Sequence, residues 1–327
     1  MFASRYKYRM KTVNILLDAG ANIYHIDNAG RNILAYCISG GNMELVSKFL
    51  EKGLNINHLD KCGRDMVMSL INTGIFYGEE LNFLVGMGWN VNHIDKYGRN
   101  ILMLLCEEKL DLDDIKTLLK LGININHIDE DGCSCLCYFL VTQDIKLIKF
   151  LIKAGADVNI LIAGQDLLFY SWKLGGVDVF KLLVEAGADI NYVDNVGCNA
   201  LMYAIMENNI EIVKLLLDRG ININHIDKDG YNCLFYSILN SDIKITKFLI
   251  KSGAYVNVID NDGWNLLIFA LDHGRDDIFK LLVEAGTNIN HVDYEGYSVI
   301  EYAYEAGYPE IVDLINKKNE TNKLRLL

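Results

Sequence analysis

Apolar residues recur along the chain as pairs of short stripes with helical spacing. In DKDGYNCLFYSILNSDIKITKFLIKSGAYVN (227–257), an apolar run is followed by a polar break and then by an i, i+3, i+4 stripe that ends at a glycine. This pattern predicts an inner helix, a turn and an outer helix with a glycine C-cap. The arrangement returns every 32 to 35 residues, so we expect a stack of repeats. The glycines that anchor the repeats are Gly30, Gly63, Gly98, Gly132, Gly164, Gly197, Gly230, Gly263 and Gly296.

Each predicted inner helix begins at a residue suited to cap it. The position two residues after the anchoring glycine always carries Asn, Asp or Ser, whose side chain accepts a hydrogen bond from a first-turn amide. The members of this column are Asn32, Asp65, Asn100, Ser134, Asp166, Asn199, Asn232, Asn265 and Ser298. The single proline, Pro309, stands at the start of the last outer helix, where its missing N–H costs little.

A helix pair of about 33 residues with an Asp-x-x-Gly turn resembles the ankyrin repeat. Endings such as LIKAGADVN (151–159) strengthen the resemblance, whereas the family's Thr-Pro-Leu-His opening is replaced, for example by Asn-Ile-Leu-Ala (32–35). The resemblance covers about residues 8 to 318 and implies an all-α ankyrin-repeat solenoid of helix-loop-helix repeats joined by β-hairpin-like turns. We therefore expect an N-terminal capping half-repeat (1–20), an ankyrin-repeat domain of about nine repeats (21–318) and a polar C-terminal tail (319–327).

The turns repeat a histidine two residues before an aspartate, as in NINHLD ending at Asp60 and NVNHID ending at Asp95. Such a series could bind metal ions or could be structural. Neighbouring helices pack about 8–10 Å apart, whereas zinc needs nitrogen ligands at about 2 Å. One histidine per repeat therefore favours a structural role, with hydrogen bonds along the hairpins, often to a neighbouring Asn or Asp.

Composition limits the classes of partner. The formal net charge of −12 argues against general binding of nucleic acids or anionic membranes. The eight cysteines show no disulfide spacing, and the start of the chain does not look like a signal peptide. The longest apolar stretch is also too short to span a bilayer. We expect a cytoplasmic protein, with the host cytoplasm or nucleus as an alternative location, that is a monomer on its own.

Known catalytic motifs are missing from the sequence. There is no glycine-rich phosphate loop, Gly-x-Ser-x-Gly or His-Glu-x-x-His. The cluster CSCLC (133–137) suggests a metal site, but its apolar surroundings favour core packing. We expect no enzyme activity, no cofactor and no metal.

The family resemblance implies that the hairpin tips and the position after each anchoring glycine face a partner. That position carries three arginines in the N-terminal half and three aromatic residues in the C-terminal half, residue types that dominate interface hot spots. Together with tips beside the arginines, the predicted contact residues are Arg31, Arg64, Arg99, Lys61, Lys96, Tyr97, Tyr231, Trp264 and Tyr297. The alternative is that these side chains only cover neighbouring hairpins. A further aromatic column, six residues after the glycine, is interpreted as packing between repeats with its hydroxyls in water.

Two irregular repeats provide further candidates. The fifth hairpin, NILIAGQD (159–166), lacks the aspartate and is predicted to place Leu161 and Ile162 at a tip that is polar elsewhere. The loop NTGIFYGEE (72–80) offers Ile75, Phe76 and Tyr77. Apolar groups on loops are candidate contacts; local repacking, a hinge and contacts between copies are the alternatives.

These observations predict a module that binds another protein through the concave face of the solenoid, as an adaptor, inhibitor or sequestering scaffold. The family and the composition suggest a viral or bacterial effector in a host cell as its setting. Two alternatives stay open. One is sequestration of a small molecule or nucleotide in an aromatic groove near Tyr203, Tyr236 and Trp264; the other is a structural homo-oligomer.

Overall fold

The computed structural model describes residues 10–73, 78–106, 112–162, 165–174 and 176–325. The chain divides into two compact units, Met1–Gly187 and Ala188–Leu327. Each is built from pairs of short helices joined by turns and hairpins.

The first unit begins with a single helix and continues with helix pairs. Its helices are α1 (Met10–Asp18), α2 (Ile33–Ser39), α3 (Met43–Glu51), α4 (Gly78–Gly86), α5 (Ile101–Leu105), α6 (Leu112–Lys120), α7 (Cys135–Thr142), α8 (Ile145–Lys153), α9 (Leu167–Leu174) and α10 (Gly176–Glu185). The inner helix of the second repeat is replaced by a 3₁₀ helix, Met68–Thr73. Two strands, β1 (Leu161–Ile162) and β2 (Gln165–Asp166), form an antiparallel hairpin.

The second unit contains four helix pairs among its described residues. They are α11 (Ala200–Met206) with α12 (Ile210–Asp218), α13 (Cys233–Leu239) with α14 (Ile243–Lys251), α15 (Leu266–Asp272) with α16 (Asp276–Ala285), and α17 (Val299–Glu305) with α18 (Pro309–Arg325). The last helix therefore continues through residues that the sequence assigns to a polar tail from 319 onward.

The amphipathic stripes explain the packing within each unit. In α14, Ile245 and Leu249 are fully buried, while the lysines of the same helix lie toward solvent. The inner helices are apolar almost all round; α15 buries every residue except its last. Predicted N-caps such as Asn100 and Asn199 accept hydrogen bonds from first-turn amides. The all-α class predicted from the sequence is confirmed.

The first hairpin needs glycine at its anchor for two reasons. Gly30 has φ +91°, and a Cβ built there would lie 2.7 Å from the backbone nitrogen of Lys61 in the next repeat. The close approach allows the amide of Lys61 to donate to the carbonyl of Ala29 at 3.0 Å. Consecutive hairpins are thus linked through their backbones. No helix in the described part of the chain is long and apolar enough to cross a membrane.

Candidate functional site

The aspartate of each regular hairpin organises the turn that follows it. In the first repeat, Oδ1 of Asp27 accepts from the amides of Ala29 (2.9 Å) and Arg31 (2.8 Å). The same pair of bonds occurs at the aspartates of seven later hairpins, Asp60, Asp95, Asp129, Asp194, Asp227, Asp260 and Asp293. One oxygen is therefore used by the turn, and the second, Oδ2, is left for another donor.

The donor to Oδ2 is either a tyrosine nine residues later or an arginine four residues later. Tyrosine hydroxyls donate in five hairpins: Tyr36 to Asp27 (2.7 Å), Tyr138 to Asp129 (2.6 Å), Tyr203 to Asp194, Tyr236 to Asp227 and Tyr302 to Asp293 (2.7 Å). The expectation that these hydroxyls reach water is wrong, because they pair with a carboxylate of their own repeat.

Arginines take over where the tyrosine is missing. The tyrosine column reads Ser69 and Leu104 in the second and third repeats. In those repeats Arg64 pairs with Asp60 at 2.9 Å and Arg99 pairs with Asp95 at 2.8 Å. In the first repeat, Arg31 pairs with Asp27 at 2.8 Å beside Tyr36. The three arginines predicted as partner contacts are thus held in ion pairs within their own hairpins.

The protonation of these carboxylates follows from their donors. Burial raises the pKa of Asp27, but hydrogen bonds from Tyr36 and Arg31 outweigh it and bring that pKa to about 2. The tyrosines respond in the opposite sense. Burial and the adjacent carboxylate raise the pKa of Tyr36, since both disfavour the phenolate. The hairpin aspartate of the first repeat is therefore ionised and its tyrosine neutral at pH 7.

The eighth hairpin departs from this rule. Its arginine position holds Trp264, and its tyrosine position holds Phe269, whose ring has no hydrogen-bond donor. Oδ1 of Asp260 keeps its two backbone bonds, whereas no donor in the described part of the chain reaches Oδ2. The pKa of Asp260 is raised, mainly by burial, whereas the pKa of Asp27 is lowered because its hydrogen bonds outweigh burial.

The exposed tips of the first unit carry the remaining basic candidates. Lys61 and Lys96 are exposed, and the ring of Tyr97 is 51% exposed. The Lys96 ammonium lies 4.8 Å and the Arg99 guanidinium 5.0 Å from the centre of that ring. These cation–π contacts bring two positive charges against one aromatic ring at the surface.

The aromatic candidates of the second unit belong to ring clusters. Tyr231 stacks on Phe235 with ring centres 4.8 Å apart and meets Phe269 edge-on at 5.3 Å. Trp264 is half-buried and lies edge-on to Tyr302 at 5.7 Å. Tyr297 is exposed and contacts the same tyrosine at 6.2 Å. Packing thus holds each ring in place while leaving part of it accessible.

The histidines of the hairpins also bond within the stack. Nε2 of His58 lies 2.8 Å from the carbonyl oxygen of Gly30 in the preceding repeat. Equivalent bonds of 2.6 to 2.7 Å join His93 to Gly63, His127 to Gly98, His225 to Gly197 and His291 to Gly263. Since a carbonyl only accepts, Nε2 carries the proton in these pairs. The role is structural as expected, but the partner is a glycine carbonyl and not a neighbouring Asn or Asp.

The fifth hairpin requires a correction of register. Leu161 pairs with the N-cap Asp166, just as Ile94 and Val193 pair with the N-caps of their own repeats. Leu161 therefore belongs to an aliphatic position shared by the hairpins and is 52% exposed. Ile162 takes the place of the aspartate and is only 7% exposed, so the expectation that it lies at a tip is wrong. Because this hairpin is one residue shorter than the others, its register could not be recognised in the sequence.

A cavity of about 190 Å³ lies beside Ile162. It is lined by Cys133, Cys137, Tyr138, Leu140, Val141, Ile162 and Tyr170. This cavity lies in the first unit, whereas the aromatic groove expected for a small molecule lies in the second. The other irregular candidates, Ile75, Phe76 and Tyr77, lie outside the described residues.

The cysteine cluster belongs to the protein core. Cys135 and Cys137 are buried, and the Cys135 thiol donates to the carbonyl of Ile125 at 3.2 Å. Burial raises the pKa of Cys133 and of Cys135 to about 12, so the thiols stay protonated at neutral pH. Among the described residues, no group of three or more His, Cys, Asp or Glu side chains is arranged to bind a metal ion.

Comparison with known proteins assigns these repeats. A family model described as ankyrin repeats, in three copies, matches residues 167–260 and 234–324. No curated protein matches the chain. Ankyrin repeats generally mediate protein–protein interaction, and proteins of this type are typically binding modules without enzyme activity. The hairpin geometry of residues 167–324 also recurs in the repeats that precede the matched ranges.

Proposed function

The chain belongs to the ankyrin-repeat family, and we propose that it binds another protein through the hairpin tips and adjoining inner helices of its repeats. The observation that supports the proposal most is that two sets of side chains in the hairpins have different roles. Aspartate and histidine side chains hold the hairpins through internal bonds, whereas the tip residues differ from repeat to repeat and remain exposed. A constant scaffold with variable tips is the form in which repeat proteins present a binding surface.

The tip residues suit a protein ligand. Tyr97 is contacted by two cations and is 51% exposed, which gives a rigid aromatic contact at little cost in side-chain entropy. The tips of the second unit combine half-exposed aromatic rings with exposed acids at Asp229, Asp262 and Glu295. The first unit thus offers an aromatic tip beside basic side chains, and the second offers aromatic rings beside acidic tips.

The test is capture of partners from a lysate of the source or host cell by two matched variants. Lys61→Glu/Lys96→Glu reverses two exposed tip charges of the first unit. Lys149→Glu/Lys153→Glu makes the same change on the exposed side of the outer helix α8. The proposal expects loss of a captured protein with the tip variant alone, and equal loss with both variants would contradict it.

The arginines are unsuitable for this experiment. Glutamate at position 64 would place a second carboxylate beside Asp60 and remove the donor to its Oδ2. Loss of capture could then reflect damage to the hairpin. Charge reversal at Lys61 avoids this problem, because Lys61 contributes its backbone amide and not its side chain to the stack.

The proposal extends to location and assembly. All eight cysteines are free thiols, which supports a reducing compartment such as the cytoplasm, including that of a host cell. Imaging of a tagged chain tests this location. A monomer by size-exclusion chromatography with light scattering is the expected state, and a stable dimer would favour the homo-oligomer instead. Saturable binding of a nucleotide or metabolite to the isolated chain would favour sequestration of a small molecule.

A further inference from the structure

Asp260 differs from the other hairpin aspartates in the pairing of its carboxylate. Asp260 is only 4% exposed, and both hydrogen bonds that its carboxylate accepts from described residues fall on Oδ1. Oδ2 has no donor among the described residues, but it is not one of the buried side-chain atoms that lack a partner, so it can be reached from solvent and can accept a hydrogen bond from a cationic ligand. In seven other hairpins, Tyr or Arg of the same repeat supplies that donor.

Aromatic residues lie next to Asp260 in its own repeat and in the preceding one. Gly230 packs against the Cα of Asp260. Burial, and after it the charge of Asp260, raises the pKa of the adjacent Tyr231. Trp264 stands at the position that Arg31, Arg64 and Arg99 occupy in their own hairpins. Phe269, 3% exposed, stands at the tyrosine position of this repeat. The backbone N–H of Trp264 donates to Oδ1 of Asp260 at 2.7 Å, so the carboxylate has the half-exposed aromatic residues Tyr231 and Trp264 as neighbours.

The charge of the surroundings favours a cation. Residues 188–327 contain 21 acidic and 12 basic residues, so the second unit carries −9 of the formal net charge of −12. Asp229 and Asp262, at the tips beside Asp260, are exposed. A field of this sign attracts basic ligands and speeds their association.

We propose that Asp260, Tyr231 and Trp264 form a binding site for an arginine side chain of the protein partner. The inference rests on the proposed function and adds the chemistry of one contact. The chain itself provides the precedent, since Arg99 pairs with Asp95 at 2.8 Å and stacks on Tyr97 at 5.0 Å. A guanidinium suits the site better than an ammonium, because it is planar and pairs with a carboxylate while lying on a ring.

The test follows the indole N–H resonance of Trp264 by NMR during titration of the full chain with N-acetylarginine amide. N-acetylcitrulline amide, a neutral molecule of nearly the same shape, is the matched probe. The chain contains three tryptophans, and a Trp264→Phe variant identifies the resonance. We expect a saturable shift with the arginine probe, a smaller one with N-acetyllysine amide, and none with citrulline.

Two variants test whether the shift depends on the charge of Asp260 and on its free Oδ2. Asp260→Asn retains the oxygen that accepts the turn amides but removes the charge. Phe269→Tyr offers Oδ2 an internal hydroxyl, as in the other hairpins. Both should lose the saturable shift while the remaining spectrum stays that of the folded chain. Equal shifts with arginine and citrulline, a shift that persists in Asp260→Asn, or no saturable shift in the wild type would each overturn the proposal.

The result is separable from the proposed function. If the wild type captures a partner that Lys61→Glu/Lys96→Glu loses, while the arginine probe leaves Trp264 unchanged, the arginine site is wrong and the binding function stands. If the arginine probe binds at Trp264 but no protein is captured by any form of the chain, the site exists and the proposed function is wrong.

Discussion

Substitution of Phe269 by tyrosine should stabilise the second unit. The new hydroxyl would stand where tyrosines of other repeats donate to their aspartates at 2.6 to 2.7 Å. Hydrogen bonds to charged groups contribute about 1.5–3 kcal/mol. Fitting an added oxygen into a ring cluster 4.9 to 5.3 Å between centres costs part of that gain. We expect a net stabilisation of about 1 kcal/mol, which raises the melting temperature by roughly 2–4 °C for a domain of this size.

The assay is thermal and urea unfolding of the wild type, Phe269→Tyr, Asp260→Asn and the double variant. The gain depends on the carboxylate, so it should disappear in the Asp260→Asn background, as a double-mutant cycle measures. Tyr302→Phe provides the reverse change and should cost about 1–3 kcal/mol, because it leaves Oδ2 of Asp293 without its donor. If Phe269→Tyr destabilises the chain, or stabilises it equally without the carboxylate, the pairing rule fails.

Three further predictions concern the first unit. Asp27→Asn should lower stability at pH 7. Against the effect of burial, hydrogen bonds hold the pKa of Asp27 at about 2, below the usual 3.8. The stabilisation by the carboxylate is therefore complete above about pH 4 and is lost as the pH falls toward 2. Urea midpoints of the variant and the wild type should therefore converge only in acid, and an unchanged gap at pH 2 would contradict this. His58→Leu should cost about 0.5–1.5 kcal/mol through loss of the 2.8 Å bond to Gly30, and equal midpoints would refute that role. Cys133, whose pKa burial raises to about 12, should react slowly with a short pulse of iodoacetamide at pH 8; rapid modification detected by mass spectrometry would show the thiol to be accessible and ionised.

Much of the fold is readable from the sequence because its determinants are local. Glycines at fixed intervals, caps such as Asn232 and the stripe of α14 all act within one repeat. The inner helix of the second repeat could not be predicted from such local signals. Asp65 caps the turn as predicted but also accepts from the indole N–H of Trp89 at 2.7 Å, and a 3₁₀ helix follows in place of an α-helix.

The pairing of the hairpin aspartates was present in the sequence as a correlation between two columns. Arginine follows the glycine in repeats where Ser69 and Leu104 replace tyrosine, and only the first repeat has both donors. Taken alone, the arginine column suggested partner contacts and the tyrosine column suggested packing between repeats. The common acceptor becomes apparent once the fold places positions four and nine residues after the aspartate beside one oxygen.

The register of the fifth hairpin could not be predicted from the residues alone. A deletion of one residue can be aligned with either Leu161 or Ile162 at the aspartate position, and only the pairing of Leu161 with Asp166 decides between them. Ile162, at the aspartate position, and Tyr170, at the tyrosine position, both line the cavity of this repeat.

Hydrogen–deuterium exchange of the chain, alone and in complex with its captured partner, tests the central claim most directly. Exchange reports which backbone amides become protected on binding. The proposed function predicts slower exchange in hairpin segments such as 94–99 or 259–264, with little change in the outer helices α8, α14 and α16. Protection confined to those outer helices, with unchanged hairpins, would contradict it.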